Sequence, residues 1–205
     1  MNGVLVLQAQ NNYIFDIRIV NDMKMKKYLI FLFFLLFCNN VFANTKIISA
    51  LEEGGKLIFI RHAYAPGGGD PDNFDIKNCS TQRNLDATGV KQAKNIGQFL
   101  KENKISIDIV LSSEWCRCKD TAQNAFENYK TFNALNSFFS SKFAKNKDKQ
   151  MQDLKSFVKS WNSKKNIVFV THYVVISEAL NTTASSGAII VADKNFKVIG
   201  TVETN

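Results

Sequence analysis

The chain has 205 residues, a formal net charge of +8 and 45% hydrophobic residues, which excludes an acidic disordered chain or a fibrous repeat and suits one ordinary globular domain. Its 26 Lys and Arg against 18 Asp and Glu favour anionic substrates or an anionic envelope surface as partners. Nucleic acid is not expected, because the basic residues are not interleaved with stacking aromatics and no reader module is present.

Residues 1–22 match no targeting pattern and read as a misassigned start or leader. Lys24, Lys26 and Lys27 then form a positive segment, Tyr28 to Phe37 a wholly apolar one, and Val41-Phe42-Ala43 a small-x-small cleavage site. Residues 23–43 therefore read as a secretory signal peptide. The apolar run is about half of the roughly 20 residues that a membrane-spanning helix needs. The expectation is an exported, periplasmic domain over residues 44–205. Cys38 leaves with the signal, so Cys79, Cys116 and Cys118 remain. One disulfide from Cys79 to Cys116 or Cys118, or simple buried thiols, would each be compatible with that count.

Strands and helices alternate through the rest. Lys56–Arg61 is predicted as a buried strand, followed by the loop Pro66-Gly67-Gly68-Gly69-Asp70-Pro71. Asp86 caps a helix reaching Glu102, with Val90, Ala93, Ile96 and Leu100 on one face. Ile107–Leu111 is a strand, and Ser112-Ser113 lead into and cap a helix over Cys116–Glu127. Thr131–Leu135 reads as a short strand, and Met151, Leu154, Val158 and Trp161 mark an amphipathic helix. The strand Asn166–Thr171, the helix Val174–Leu180 and a closing hairpin (Ala188–Ala192 with Lys197–Val202) complete the chain. Strands joined by helical crossovers imply an α/β fold, a three-layer α/β/α sandwich with a mostly parallel central sheet.

The chain has only 2 histidines, and each ends an apolar strand: His62 after Ile58-Phe59-Ile60-Arg61, and His172 after Val168-Phe169-Val170-Thr171. In open α/β sheets ligands bind beyond the carboxyl ends of the strands. Arg117 falls in the first turn of a helix, where a cation opposes the helix dipole unless an anion sits at that helix start. Arg61, His62, Arg117 and His172 together describe a pocket for a dianionic phosphoryl group. Guanidinium forks match its oxygens, and flanking cations keep an imidazole neutral and nucleophilic. Zinc fits poorly, since the arginines repel a dication and no thiolate or carboxylate completes a ligand spacing.

Four segments carry a family resemblance. Arg61-His62-Ala63 resembles the Arg-His-Gly signature of the histidine phosphatase (phosphoglycerate mutase-like) superfamily. Leu85-Asp86-Ala87-Thr88-Gly89-Val90-Lys91-Gln92-Ala93 is similar to its Leu-Thr-x-x-Gly-x-x-Gln-Ala segment. Ser112-Ser113-Glu114-Trp115-Cys116-Arg117-Cys118-Lys119-Asp120-Thr121-Ala122 resembles its Ser-Ser-x-x-x-Arg-x-x-x-Thr-Ala segment, and Val170-Thr171-His172 its Val-(Ser/Thr)-His strand end. The resemblance implies that His62 accepts the phosphoryl group and that Arg61, Arg117 and His172 hold its oxygens. It also implies that Gln82 and Arg83 line the substrate mouth, and that no metal or cofactor takes part.

The departures are Ala63 and Tyr173 where relatives carry glycine, and Ser137 where many carry the glutamate that protonates the leaving group. Glu114 is the substitute candidate for that acid, with Asp70, Asp72 and Asp75 as further options. The expected function is an exported phosphatase acting on a small phosphomonoester, with no obligate protein partner. The alternatives are a phosphohistidine-protein phosphatase and a non-catalytic envelope protein that binds phosphate ligands.

Overall fold

Residues Leu57–Arg61 (β1) form a strand because a run of large and β-branched apolar side chains can bury both faces of a pleat. Its neighbours on the sheet are equally apolar, and their alternation sorts the core in two. Leu57 and Phe59 join Ile167, Phe169, Ile190 and Ala192 on one face; Ile58 and Ile60 join Val168, Val170, Ile189 and Val191 on the other. The structure is a computed structural model and describes residues 45–204; the expected start and signal segments, residues 1–43, lie outside the described residues. From Lys46 onward the chain makes one compact unit.

A helix over residues 45–53 (α1) precedes β1. There follow Ala87–Glu102 (α2), Ile107–Ser112 (β2), Cys116–Phe126 (α3), Lys130–Thr131 (β3), Ser141–Ala144 (α4), Lys147–Ser160 (α5), Asn166–Thr171 (β4), Tyr173–Leu180 (α6), Ile189–Ala192 (β5) and Val198–Val202 (β6). The sheet has 6 strands in the order β3-β2-β4-β1-β5-β6. The pairs from β3 to β1 are parallel, whereas β5 runs antiparallel to β1 and pairs with β6 as the closing hairpin. Ile47, Leu51, Ile96, Leu100 and Ala122 carry α1, α2 and α3 on one face of the sheet. Met151, Leu154, Val158, Val175 and Ile176 carry α5 and α6 on the other. This is the expected α/β architecture, with helices on both faces of a mostly parallel sheet. No helix among the described residues is long and apolar enough to cross a membrane.

Local departures have physical causes. The α3 cap is Trp115, with no side-chain bond of its own; Ser113 Oγ accepts from the Trp115 N–H at 3.3 Å, and the Ser112 hydroxyl donates to the Ser113 carbonyl. Gln82 instead supplies an oxygen to the first helical amide, its Oε1 accepting from Cys116 N–H at 2.9 Å. The expected strand at Thr131–Leu135 is only Lys130–Thr131, after which a 3-10 turn at Asn133–Leu135 turns Ala134 and Leu135 into the core. The short α1 and α4 were not legible in the pattern.

Cys79 and Cys116 form a disulfide that closes a separation of 37 residues, while Cys118 stays a free, buried thiol. The bond ties the turn Cys79–Thr81 to the first residue of the helix that carries Arg117. A loop of that size implies a stabilisation of about 3–4 kcal/mol. Cys79→Ala is expected to lower the thermal midpoint by roughly 6–16 °C, read by circular dichroism under non-reducing conditions. Reductant should move the wild type the same way and leave the variant in place.

Candidate active site

The register of the parallel strands builds the site. Arg61 pairs with Thr171 across β1 and β4, so the next residue on each strand, His62 and His172, emerges beside the other. Their ring centroids are 5.5 Å apart. On the far side of β4, Ser112 pairs with Val170, which delivers Ser113 and the start of α3 to the same crevice. All four residues expected to make the phosphoryl pocket line one cavity of about 570 Å³.

His62 is only 2% exposed. Its Nδ1 lies 2.8 Å from the Ala63 carbonyl, which can only accept, so Nδ1 carries the proton and Nε2 keeps its lone pair. The loop after His62 is fixed by the helices that follow. Ala63 N–H donates to Thr121 Oγ1 at 2.9 Å, and that hydroxyl donates to the Arg117 carbonyl at 2.7 Å. Tyr64 N–H donates to Gln92 Oε1 at 2.9 Å, while Gln92 Nε2 donates to the Ser186 and Thr204 carbonyls. Gly89 lets α2 approach: a Cβ there would stand 2.0 Å from the Tyr64 carbonyl oxygen. Gln92 and Thr121 thus hold the loop that follows His62 and do not themselves line the cavity.

His172, also 2% exposed, has Nε2 3.0 Å from Ser113 Oγ and 3.4 Å from Cys118 Sγ. Ser113 Oγ in turn donates to Asn136 Oδ1 at 3.1 Å. Burial pushes the Cys118 thiol up to about 12, so it supplies no thiolate at neutral pH.

Three guanidiniums crowd this crevice. Arg61 Nη1 donates to the Ala184 carbonyl at 2.8 Å, and its guanidinium lies 5.4 Å from the centre of the Tyr173 ring. Arg83 donates from Nε to the Gly69 carbonyl and from Nη1 to the Ala65 carbonyl. Arg117 forks onto Asp70, with Nη1 2.7 Å from Oδ1 and Nη2 3.2 Å from Oδ2. Burial lowers the pKa of Arg61 and Arg83, and the Arg117 charge lowers both further. The Nε atoms of Arg61 and Arg117 are buried with no partner. Such a cluster favours an incoming multivalent anion.

The same field acts on the histidines. Burial first, and then the Arg117 charge, push His62 down to about 3 and His172 well below its ordinary value. The unfolded chain takes up these protons near 6.5, whereas the folded one resists. Stability is therefore complete above pH 6.5 and falls as the pH drops through the window toward about 3. The thermal midpoint is expected to decline across that window, and the decline should be shallower in a His62→Ala, His172→Ala double variant.

The other sequence candidates divide. Arg83 lines the cavity. Gln82 does not: it is buried, and besides capping α3 its Nε2 donates to the Asp75 and Ile76 carbonyls. Glu114 faces a separate cleft with Asn133, Lys149 and Asp153, its Oε2 accepting from Asn136 Nδ2 at 2.6 Å. Glu114 lies on the bend between β2 and α3, ahead of the extended cap Trp115. Asp75 also lies off the cavity wall, whereas Asp70 and Asp72 are on it. The sequence singled out Tyr173 but not the other aromatics of the mouth. Tyr64, Phe139 and Tyr173, the exposed large hydrophobics among the described residues, all line this one cavity. Tyr173 sits beside Arg61. Among the described residues no group of three or more His, Cys, Asp or Glu is placed to hold a metal ion.

Residues 57–135 match the model of the histidine phosphatase superfamily (branch 1). No curated protein sequence matches the chain. Among solved structures, the protein histidine phosphatase SixA complexed with tungstate superposes with a TM-score of 0.50 at 14% identity, covering 70% of this chain and 92% of that one. Phosphoglycerate mutase from Thermus thermophilus gives 0.52 at 13% identity, covering 73% and 99%. A phosphoserine phosphatase mutant from Entamoeba histolytica in complex with phosphoserine gives 0.50 at 21%, covering 66% and 89%. Residues 57–135 are thus similar to the histidine phosphatase superfamily, and the chain shares its fold with these solved structures.

Proposed function

We propose that this protein is an exported phosphatase that hydrolyses a small phosphomonoester through a phosphohistidine on His62. The observation that carries the reading is the neutral His62 imidazole, its Nε2 lone pair free, set among Arg61, Arg83, Arg117 and His172. A nucleophile so placed attacks phosphorus, the bond to the leaving oxygen breaks, and water then hydrolyses the phosphohistidine. Charge on the equatorial oxygens is matched by the guanidiniums, so positioning and electrostatics supply most of the rate. No step calls for a metal. Export is supported by the signal pattern at Lys24–Ala43 and by a disulfide that suits an oxidising compartment. The excess of lysine would favour an anionic envelope surface nearby.

The mouth indicates the kind of leaving group. Exposed aromatics gathered at one cavity favour a substrate that presents a flat or apolar face next to its phosphate. A phosphohistidine-protein phosphatase is the second reading, favoured by Ser137 in place of the family's acid, since imidazole departs without one.

The test is phosphate release by the purified protein from benzyl phosphate, ethyl phosphate and a phosphohistidine peptide, with and without EDTA. Benzyl phosphate is expected to be preferred over ethyl phosphate by roughly 3–10-fold in kcat/KM, the worth of one aromatic contact, with no loss in EDTA. Turnover of the peptide alone would favour the second reading. Inertness toward all three would overturn the phosphatase assignment.

A further inference from the structure

Asp70 occupies the guanidinium fork of Arg117 on the cavity wall. Its two oxygens take both ends of the Arg117 fork, at 2.7 and 3.2 Å. Oδ1 also accepts from Arg83 N–H at 3.1 Å and Oδ2 from Trp115 Nε1–H at 3.0 Å. An anion with two oxygens on a planar fork and two further donors is the pattern a phosphoryl group would present. The side chain that makes it is supplied by the loop Pro66-Gly67-Gly68-Gly69-Asp70-Pro71, in which Gly67 and Gly69 have φ of +88° and +71°. A backbone of that kind suits glycine and can rearrange at small steric cost.

We infer that Asp70 is the acid that protonates the leaving oxygen, held on Arg117 in the free enzyme and displaced from it by the phosphoryl group of the substrate. The inference rests on the phosphatase reading given above. Two anions cannot share the fork, and a dianion that also engages the buried, unpartnered Nε of Arg117 and Arg61 offers it more than a single carboxylate does. The glycine loop lets Asp70 swing aside while remaining on the cavity wall.

In the free protein, burial would raise the Asp70 carboxyl, but the Arg117 hydrogen bonds and charge outweigh it and keep the group below the ordinary carboxylate range. Once moved off Arg117 and set beside a dianion, the carboxylate loses that support and takes up a proton. As the His62 Nε2–P bond forms and the P–O bond breaks, this proton passes to the leaving oxygen. The resulting Asp70 carboxylate then accepts a proton from the water that attacks the phosphohistidine, so the cycle consumes one water and releases an alcohol and phosphate. Asp72 is the other carboxylate on the wall among the described residues, but it is solvent-exposed and does not bond to Arg117.

The test uses the full protein and its Asp70→Asn variant, with two readouts. The first is tungstate binding by calorimetry, which needs no turnover: removing the resident anion should tighten it by about tenfold or more, which also shows that the fork is folded. The second compares benzyl phosphate, whose alkoxide needs a proton, with p-nitrophenyl phosphate, whose phenolate needs little. The loss on benzyl phosphate should exceed that on p-nitrophenyl phosphate by about 10²–10⁴-fold. Glu114→Gln should keep the wild-type ratio of the two rates. Equal losses on both substrates, or unchanged tungstate affinity, would overturn the role of Asp70 while leaving the phosphatase reading intact. Failure of the wild type on both substrates would remove the reading beneath it as well.

Discussion

Replacing His62 with alanine is expected to lower kcat/KM for any phosphomonoester by about 10⁴-fold or more, with the fold intact. The size follows from the role: the variant has no group that can form the covalent intermediate. The neighbouring imidazole does not stand in, because His172 Nε2 is engaged with Ser113 and Cys118. Cys118 does not stand in either, since burial holds its thiol up at about 12. Tungstate should still bind the alanine variant, because Arg61, Arg83 and Arg117 are unchanged. Steady-state kinetics with p-nitrophenyl phosphate, paired with tungstate calorimetry, separates this loss from misfolding. Activity within tenfold of wild type would remove His62 from the chemistry.

The second largest effect is expected at Arg117. Arg117→Ala should lose about 3–4 kcal/mol of transition-state stabilisation, a fall of roughly 10²–10³-fold in kcat, by analogy with removing one oxyanion donor from a preorganised site. Arg117→Lys should recover little of it. An ammonium is a point charge that cannot span two oxygens, whereas this guanidinium already grips both oxygens of a carboxylate. Because Arg117 also anchors Asp70 and the Thr121 hydroxyl bonds to its carbonyl, circular dichroism must show that the variants keep their secondary structure. A loss confined to KM would mean that Arg117 binds ground state and transition state alike.

The strands that carry the chemistry were the most legible part of the chain. Ile58-Phe59-Ile60 and Val168-Phe169-Val170 are buried on both sides, so composition alone marked them, and strand pairing then brought His62 and His172 together. The helix at Asp86 was equally plain, its carboxylate accepting from Gly89 N–H at 2.8 Å. Arg117 could be placed at a helix start, but what faced it could not, because its partner lies 47 residues earlier in a loop with no periodic pattern. Glu114 and Gln82 lie off the cavity wall for a related reason. Proximity in sequence to the motifs suggested the pocket, whereas side-chain direction on the bend before α3, and a cap supplied from a distant loop, depend on tertiary packing. The aromatic mouth as a cluster left no local signal either: Tyr173 stood out singly, but Tyr64 and Phe139 join it only when two loops converge on the start of α6.

The central claim is the covalent intermediate, and rapid quenching of the protein during turnover of a radiolabelled phosphomonoester tests it most directly. Acid-labile, base-stable label is expected on the wild type, mapping by mass spectrometry to His62 and absent from His62→Ala. Phosphate release without label on any histidine, or label of equal yield in the alanine variant, would contradict it.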